Sequence, residues 1–274
     1  MSATLPTNPA ISTNPAGPAG AARPAAAPLP ADLRFDGRTA LVTGAGSGIG
    51  LATVIDLAER GASVIAADVS ADALRQFDAT AAVTPAVLDV RDGAAVETLV
   101  GNLPTGPDLV VTCAGGADRR PLLDLDEAEL MAAYDLNCLG FFRVARAVAR
   151  RLIAEGRPGA IVHVASSFHA GPAPQLAHFA AAKGASITLV RCLAQEWAPH
   201  GIRVNALTPG LVETPTTLAR FDAESLARFA AATPLGRNGN AAEIARAAAY
   251  LLSDWSSWTT GSVLTMDGGL AVSA

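Results

Sequence analysis

The chain predicts a single doubly wound α/β domain built on a parallel sheet, and three observations carry that expectation. From Arg34 onward, apolar runs of strand length alternate with amphipathic helical patterns, the signature of a parallel sheet with crossover helices. The first run, Thr39-Ala40-Leu41-Val42, passes through the glycine-rich turn Thr43-Gly44-Ala45-Gly46-Ser47-Gly48-Ile49-Gly50 into a helical pattern from Leu51 to Arg60. The second, Ser63-Val64-Ile65-Ala66-Ala67, ends in Asp68, eighteen residues after Gly50. Strand, glycine turn, helix and acid-ended strand come in the order that a dinucleotide site needs. Without Cβ atoms, the turn lets a pyrophosphate approach the N–H groups at the helix N-terminus, where the dipole favours negative charge. An Asp at the second strand's end accepts hydrogen bonds from both hydroxyls of an adenosine ribose and repels a 2′-phosphate, which predicts NAD rather than NADP.

A length of 274 residues accommodates one such domain with a large core and not two. Residues 1–31, rich in Ala, Pro, Thr and Asn, read as a disordered tail without the basic start and apolar stretch of a secretory signal; residues 32–274 form the domain. Half the residues are hydrophobic and 16% are charged, with a mean hydropathy of +0.32. No uninterrupted apolar run approaches the roughly 20 residues of a membrane helix. A net charge of −5 with scattered Lys and Arg argues against nucleic acid or an anionic membrane and leaves small-molecule partners. Cys113, Cys138 and Cys192 are odd in number and lack metal-ligand spacing, which predicts buried thiols, a reducing cytoplasmic compartment and no metal site.

After Asp68, Ser70 is placed to cap a short helix through about Phe77, and Ala86-Val87-Leu88 reads as the third strand. Asp89-Val90 closes that strand, with Asp89 either facing the cofactor crevice or capping the helix that begins near Asp92. Leu109-Val110-Val111-Thr112 is the fourth strand and ends in Cys113-Ala114-Gly115-Gly116. Acids at Asp126, Glu127 and Glu129 open the next helix, as the helix dipole favours, and Asn137 lies near the junction with a long helix reaching Glu155. The fifth strand, Ala160–Ala165, delivers Ser166 and Ser167 at its C-terminal end; a loop with Gly171, Pro172 and Pro174 leads to a helix from about His178 to Trp197 that carries Lys183. Ile202–Leu207 is the sixth strand, broken at Pro209-Gly210, and 211–233 reads as a mobile lid of short helices containing Val212, Thr214 and Arg220. Ala241–Leu252 is the last helix and Ser262–Met266 the seventh strand.

These pieces match a family. The chain resembles the short-chain dehydrogenase/reductases over residues 34–270, through the turn Thr43–Gly50, Asp89-Val90, Ala114-Gly115, Asn137, the strand end at Ser166, Lys183, Arg203-Val204-Asn205, Pro209-Gly210 with Thr214, and Asp267-Gly268-Gly269. The resemblance implies a Rossmann-type, seven-stranded parallel sheet, a homotetramer or homodimer, and hydride transfer between a nicotinamide and an alcohol, carbonyl or conjugated alkene. It assigns substrate orientation to Ser166, a proton-relay water to Asn137 and the nicotinamide ribose to Lys183. Expected around the cofactor are Gly44, Ser47, Gly48, Ile49, Gly50, Asp68, Asp89, Val90, Cys113, Ala114, Gly115, Lys183, Pro209, Gly210, Val212 and Thr214.

The family's Tyr-x-x-x-Lys reads here as Phe179-Ala180-Ala181-Ala182-Lys183, and Phe179 lies the usual thirteen positions after Ser166. Phe keeps the shape of the family's acid/base and removes its proton. Three readings follow: a reductase whose proton comes from His178, His169, Asp135 or a water held by Asn137 and Lys183; a nucleotide-binding subunit that has lost its chemistry; and an enoyl or dienoyl thioester reductase. The last rests on a resemblance to 2,4-dienoyl-CoA reductases, which lack the tyrosine here and share the Cys113-Ala114 start, a His before the phenol position and a tail like Leu252–Trp258. Those relatives usually take NADP. Cys113 replaces an Asn of the family pattern and is expected to cost one hydrogen bond between the fourth strand and its neighbours. Other residues carry mixed expectations: His163 as a hydrogen-bonded core residue, Trp255 and Trp258 as core or subunit-interface aromatics, and Arg143, Arg146, Arg150 and Arg151 as a solvated or subunit-facing stripe. Arg119 and Arg120 lie near the cleft mouth, as ordinary loop charges or as partners for a substrate carboxylate or phosphate.

Overall fold

The structure, a computed structural model, describes residues 33–78, 81–170 and 173–272. The expected tail and Gly171-Pro172 lie outside the described residues. Seven strands, β1 (Thr39–Thr43), β2 (Ser63–Asp68), β3 (Val83–Val87), β4 (Leu109–Thr112), β5 (Gly159–Val164), β6 (Ile202–Pro209) and, after the short pair β7 (Val212–Glu213) and β8 (Gly239–Asn240), β9 (Val263–Met266), make the architecture. The main sheet runs β3-β2-β1-β4-β5-β6-β9, every pair parallel. Strand order reverses between β1 and β4, so the crevice for a ligand opens at their C-terminal ends.

Side chains alternate across each strand and fill two layers. Ala40 and Val42 pack with Val54 and Leu57 of α1 (Gly48–Glu59) on one face, and Leu41 packs with residues of the other face. After α2 (Ala71–Leu74) come α3 (Gly93–Asn102), α4 (Glu127–Tyr134), α5 (Gly140–Glu155) and α6 (Ala177–Trp197). Helices α3, α5 and α6 cover the second face through Val96, Val144, Val148, Ile187 and Val190. The segment after β6 holds α7 (Pro215–Arg220) and α8 (Ala223–Ala232), and α9 (Ala241–Leu252) packs beside α1 through Ile244 and Leu252. Among the described residues no helix is long and apolar enough to cross a membrane.

Several expectations shift. The third strand is Val83–Val87, three residues earlier than the Ala86 start read from the sequence, because Thr84 and Pro85 interrupt its apolar run. It is an edge strand, where half the N–H groups lack a ladder partner and a proline is tolerated. Asn137 sits in a π turn, Asp135–Leu139, between α4 and α5. Trp255 is 53% exposed and Trp258 100% exposed, so neither belongs to the core. Of the cysteines only Cys138 is buried; Cys113 is half-buried and Cys192 exposed. The arginine stripe of α5 is latched by its neighbours: Arg143 to Asp135 at 2.6 Å, Arg146 and Arg150 towards Glu97 of α3 at 3.6 and 3.5 Å, and Arg151 to Glu155.

The Arg203-Val204-Asn205 motif acquires a structural account. Nη1 and Nη2 of Arg203 donate to the carbonyls of Leu251 (2.8 Å) and Leu252 (3.3 Å), which satisfies groups left open at the C-terminal end of α9. Asn205 Nδ2 donates to Thr259 O at 2.9 Å and Oδ1 accepts from Ser262 N at 3.0 Å, which ties the last loop to β6.

Candidate active site

The turn after β1 is closed by contacts that only glycine permits. Gly44 has φ +66, and a Cβ there would meet the main-chain N of Ala114 at 2.7 Å; a Cβ on Gly50 would fall on the carbonyl of Gly44. The turn is therefore pressed against the end of β4 and folded over the first turn of α1. Ser47, the N-cap of α1, makes no side-chain capping bond. By contrast, Ser70, Asp92, Asp126, Thr214, Asp222 and Asn240 each cap the helix they precede. The uncapped N–H groups of α1 are thus left for an anionic ligand.

At the end of β2, Asp68 Oδ2 accepts from Gly46 N and Oδ1 from Ser70 N, both at 2.9 Å. The two bonds fix the carboxylate, and each oxygen keeps a lone pair for a ribose hydroxyl. Asp89 is not the cap of α3, since Asp92 accepts from Ala94 and Ala95 in that role. Instead Asp89 pairs with Arg91 at 2.6 Å, and the guanidinium holds its carboxyl below the usual carboxylate range.

The chemical end is assembled by β4, β5 and α6. Lys183, 3% exposed, donates from Nζ to the carbonyl of Val164 at 2.8 Å, and burial brings its pKa from the usual 10.5 down to about 8. Its Nζ lies 5.8 Å from the centre of the Phe179 ring. Ser166 Oγ accepts from Phe168 N at 3.3 Å, leaving its own proton to give. Asn137 is fully buried behind this group: Oδ1 accepts from Gly116 N at 2.8 Å, while Nδ2 donates to Gly116 O and Ala133 O, both at 2.9 Å. A Cβ on Gly115 would meet Asn137 Oδ1 at 2.7 Å and Lys183 Nζ at 3.2 Å, so the strand end, the amide and the ammonium converge. The link between β4 and β1 survives Cys113, whose N–H donates to Thr43 O at 3.1 Å. Burial pushes the Cys113 thiol up to about 12.

Behind Lys183, His163 is fully buried and stacks on Phe141 with ring centres 4.2 Å apart. Ser186 Oγ donates to Lys183 O at 2.8 Å, so His163 Nε2 is the donor in the 3.0 Å contact with Ser186 Oγ, and Nδ1 accepts from Thr112 Oγ1 at 2.8 Å. Burial holds the His163 pKa well below 6.5, and the ring is neutral.

One cavity of about 530 Å³ joins these parts. Gly44, Ser47, Gly48, Ile49, Gly50 and Asp68 line one end; Asp89, Val90, Cys113, Ala114 and Gly115 line its floor. Ser166, Phe179 and Lys183 line the other end, with Pro209, Gly210, Val212 and Thr214 opposite. Asn137 does not line it, nor do His169, His178 or Asp135. The sequence reading missed Phe168, Leu176 and Phe221, which form an apolar wall, because nothing in the pattern of a loop or a six-residue helix says which side chains turn inward. The lining fits a nicotinamide dinucleotide: the glycine turn and the uncapped start of α1 would take its pyrophosphate, and Asp68 would take a ribose.

The sequence model of a family described as enoyl-(acyl carrier protein) reductase matches residues 44–271. The chain is 37% identical over 245 residues to D-erythrulose reductase of Gallus gallus, covering 88% of this chain and 99% of that protein. It is 40% identical over 247 residues to galactitol 2-dehydrogenase (L-tagatose-forming) of Cereibacter sphaeroides, covering 87% and 97%. Among solved structures it is similar to a gluconate 5-dehydrogenase of Burkholderia cenocepacia in complex with NADP and tartrate, with a TM-score of 0.82, 36% identity, and coverage of 88% of this chain and 98% of that one.

Proposed function

The chain belongs to the short-chain dehydrogenase/reductase family, and from that premise we propose that it is an NAD-dependent oxidoreductase of small or medium hydroxyl and carbonyl compounds of the sugar and polyol type. The observation that carries this reading is the single cavity running from the uncapped start of α1 and Asp68 to Ser166 and Lys183. Relatives named for erythrulose and galactitol support the substrate class. Asp68 supports NAD, since a carboxylate at the ribose repels a 2′-phosphate and the turn Thr43–Gly50 carries no Lys or Arg to offset it. The exposed Trp258 supports a homotetramer or homodimer, in which a second copy covers it.

When bound, a nicotinamide supplies or accepts the hydride. Ser166 Oγ–H orients the substrate oxygen, and Lys183 Nζ, anchored on Val164 O, holds the ribose. Of the proton sources set out above, Asp135 is spent on Arg143, His169 Nδ1 is bonded to the Ser166 carbonyl at 2.7 Å, and His178 lies outside the cavity. Lys183 lines the cavity and burial lowers its pKa to about 8, so in this reading its proton reaches the substrate oxygen through one water. Asn137 fixes the loop after β4 at Gly116 and keeps the second lone pair of Oδ1 for a relay water.

Phe179 favours a second reading, a cofactor-binding subunit without turnover; an enoyl or dienoyl thioester reductase is the third. The test is consumption of NADH and of NADPH over ketoses, aldehydes and enoyl thioesters. Turnover of ketoses with NADH is expected. Binding of NADH without turnover of any substrate selects the second reading, thioester turnover the third, and failure to bind either nicotinamide overturns all three.

A further inference from the structure

Charge is distributed unevenly along the cavity. Among its described lining residues the carboxylates are Asp68, at the end of β2, and Asp89, which is paired with Arg91. The substrate end is lined by Arg119, Lys183 and Arg220 with no carboxylate, in a chain whose acids outnumber its Lys and Arg by 25 to 20. An apolar wall that binds a neutral sugar has no need of two guanidinium groups at its mouth.

Their geometry is specific. The loop after β4 and the end of α7 are joined by two successive contacts in register. Arg220 Nη2 lies 3.3 Å from Asp118 Oδ1, and the guanidinium of Arg119 lies 5.4 Å from the centre of the Phe221 ring. Phe221 is itself held edge-on by Phe229 of α8 at 5.4 Å. The loop is tied below by Arg120 N donating to Gln175 O at 2.8 Å. Among the described residues Arg119 pairs with a ring rather than with a carboxylate, which leaves its N–H donors for a ligand. Arg220 has one partner, Asp118, which is 94% exposed and gains little from the pair. Arg120, by contrast, is paired with Glu129 at 2.8 Å and does not line the cavity.

We propose that Arg119 and Arg220 form an anion-reading pair at the substrate end, so that the preferred substrate is a hydroxy or oxo compound carrying a carboxylate or phosphate, whose reacting carbon reaches Ser166 while its anionic group is held at the mouth. The proposal rests on the reading of this cavity as a substrate site. Both guanidinium groups present paired N–H donors that match either anion, and a neutral polyol leaves them unmatched. Asp118 competes with the ligand for Arg220 and so weakens anion binding.

The experiment is calorimetric titration of gluconate, glucitol 6-phosphate and glucitol, six-carbon ligands that differ in charge, into the protein with and without saturating NADH. At least one anion is expected to bind tenfold or more tightly than glucitol, and which one does so identifies the carboxylate or the phosphate as the group read. Arg119→Gln/Arg220→Gln should erase that preference while leaving the NADH affinity and thermal midpoint of the protein unchanged. Asp118→Asn should tighten anion binding two- to fivefold. Equal binding of the anions and glucitol, binding of none of them, or a preference that survives the double substitution overturns the proposal. If NADH fails to bind while the anion preference persists, the cofactor reading fails and the anion site stands.

Discussion

The ammonium of Lys183 faces the ring of Phe179 at 5.8 Å, in a buried pocket where, among the described residues, Nζ donates to the carbonyl of Val164. A phenol on that ring would place a titratable proton beside a cation that favours its loss, at the cavity end that Ser166 lines. Phe179→Tyr is therefore expected to raise kcat about 10²- to 10⁴-fold, the usual worth of general acid–base help, with NADH affinity unchanged. Steady-state rates for both proteins decide it. A gain below tenfold would mean that the proton already has an efficient route and that the ring position is not where it travels.

Lys183 also makes stability depend on pH in a definite direction. Its pKa is about 8 in the folded chain against 10.5 when free, so between those values the unfolded state holds more protons and folding is favoured as pH rises. Below pH 8 both states are protonated and the folded state carries the full cost of the buried charge, about 3 kcal/mol for a shift of this size. Lys183→Met removes the dependence. The stability difference between the two proteins should move by about 3 kcal/mol in favour of the lysine from pH 7.5 to 10.5, read by urea denaturation at each pH. The reductive rate of the Phe179 protein should fall over the same range above pH 8, as the ammonium loses its proton.

The local parts of this architecture were legible in the residues. Leu109–Thr112 and Ala241–Leu252 have the bounds read from the sequence, because apolar runs and helical periodicity are set by near neighbours. The glycine turn, Asp68, Ser166 and Lys183 fall on one cavity because each lies at a strand end or on an early helix turn, and the parallel order of strands gathers those ends. What escaped was non-local or ran against residue type. Pro85 disguised an edge strand, and Trp258 is exposed although its size suggests burial. The bonds between Asn137 and Gly116, 21 residues apart, and between Arg220 and Asp118, 102 apart, leave no trace in any short window.

Ser186 carries two buried bonds, donating to Lys183 O and accepting from His163 Nε2. Ser186→Ala deletes both and leaves the imidazole N–H without its acceptor in a fully buried site, a loss of about 1–3 kcal/mol. The ring also bridges β4, β5 and α6, so the helix turn that carries Lys183 loses its brace. Urea unfolding should report the destabilisation, and the KM for the nicotinamide should rise with it. An unchanged midpoint would show that the His163 ring takes the opposite tautomer or finds another partner.

Among the described glycines, Gly50 has the least room for a Cβ, which would fall on Gly44 O. The missing Cβ of Gly50 is what allows the Gly44 carbonyl to lie against the first turn of α1, and Gly44 is in turn pressed against Ala114 N of β4. In Gly50→Ala the turn must open, and with it both the anion cradle and the junction of β1 with β4 at the sheet's reversal point. The expected outcome is a stability loss of about 1–3 kcal/mol together with NADH binding too weak to detect by fluorescence. Gly101, inside α3, is the matched control: a Cβ there has nothing within 4 Å, so Gly101→Ala should stabilise the protein by about 0.5–1 kcal/mol through helix propensity and keep full NADH affinity. If Gly50→Ala also keeps full affinity, the pyrophosphate is not held by this turn, and the assignment of the uncapped start of α1 as its site falls with it.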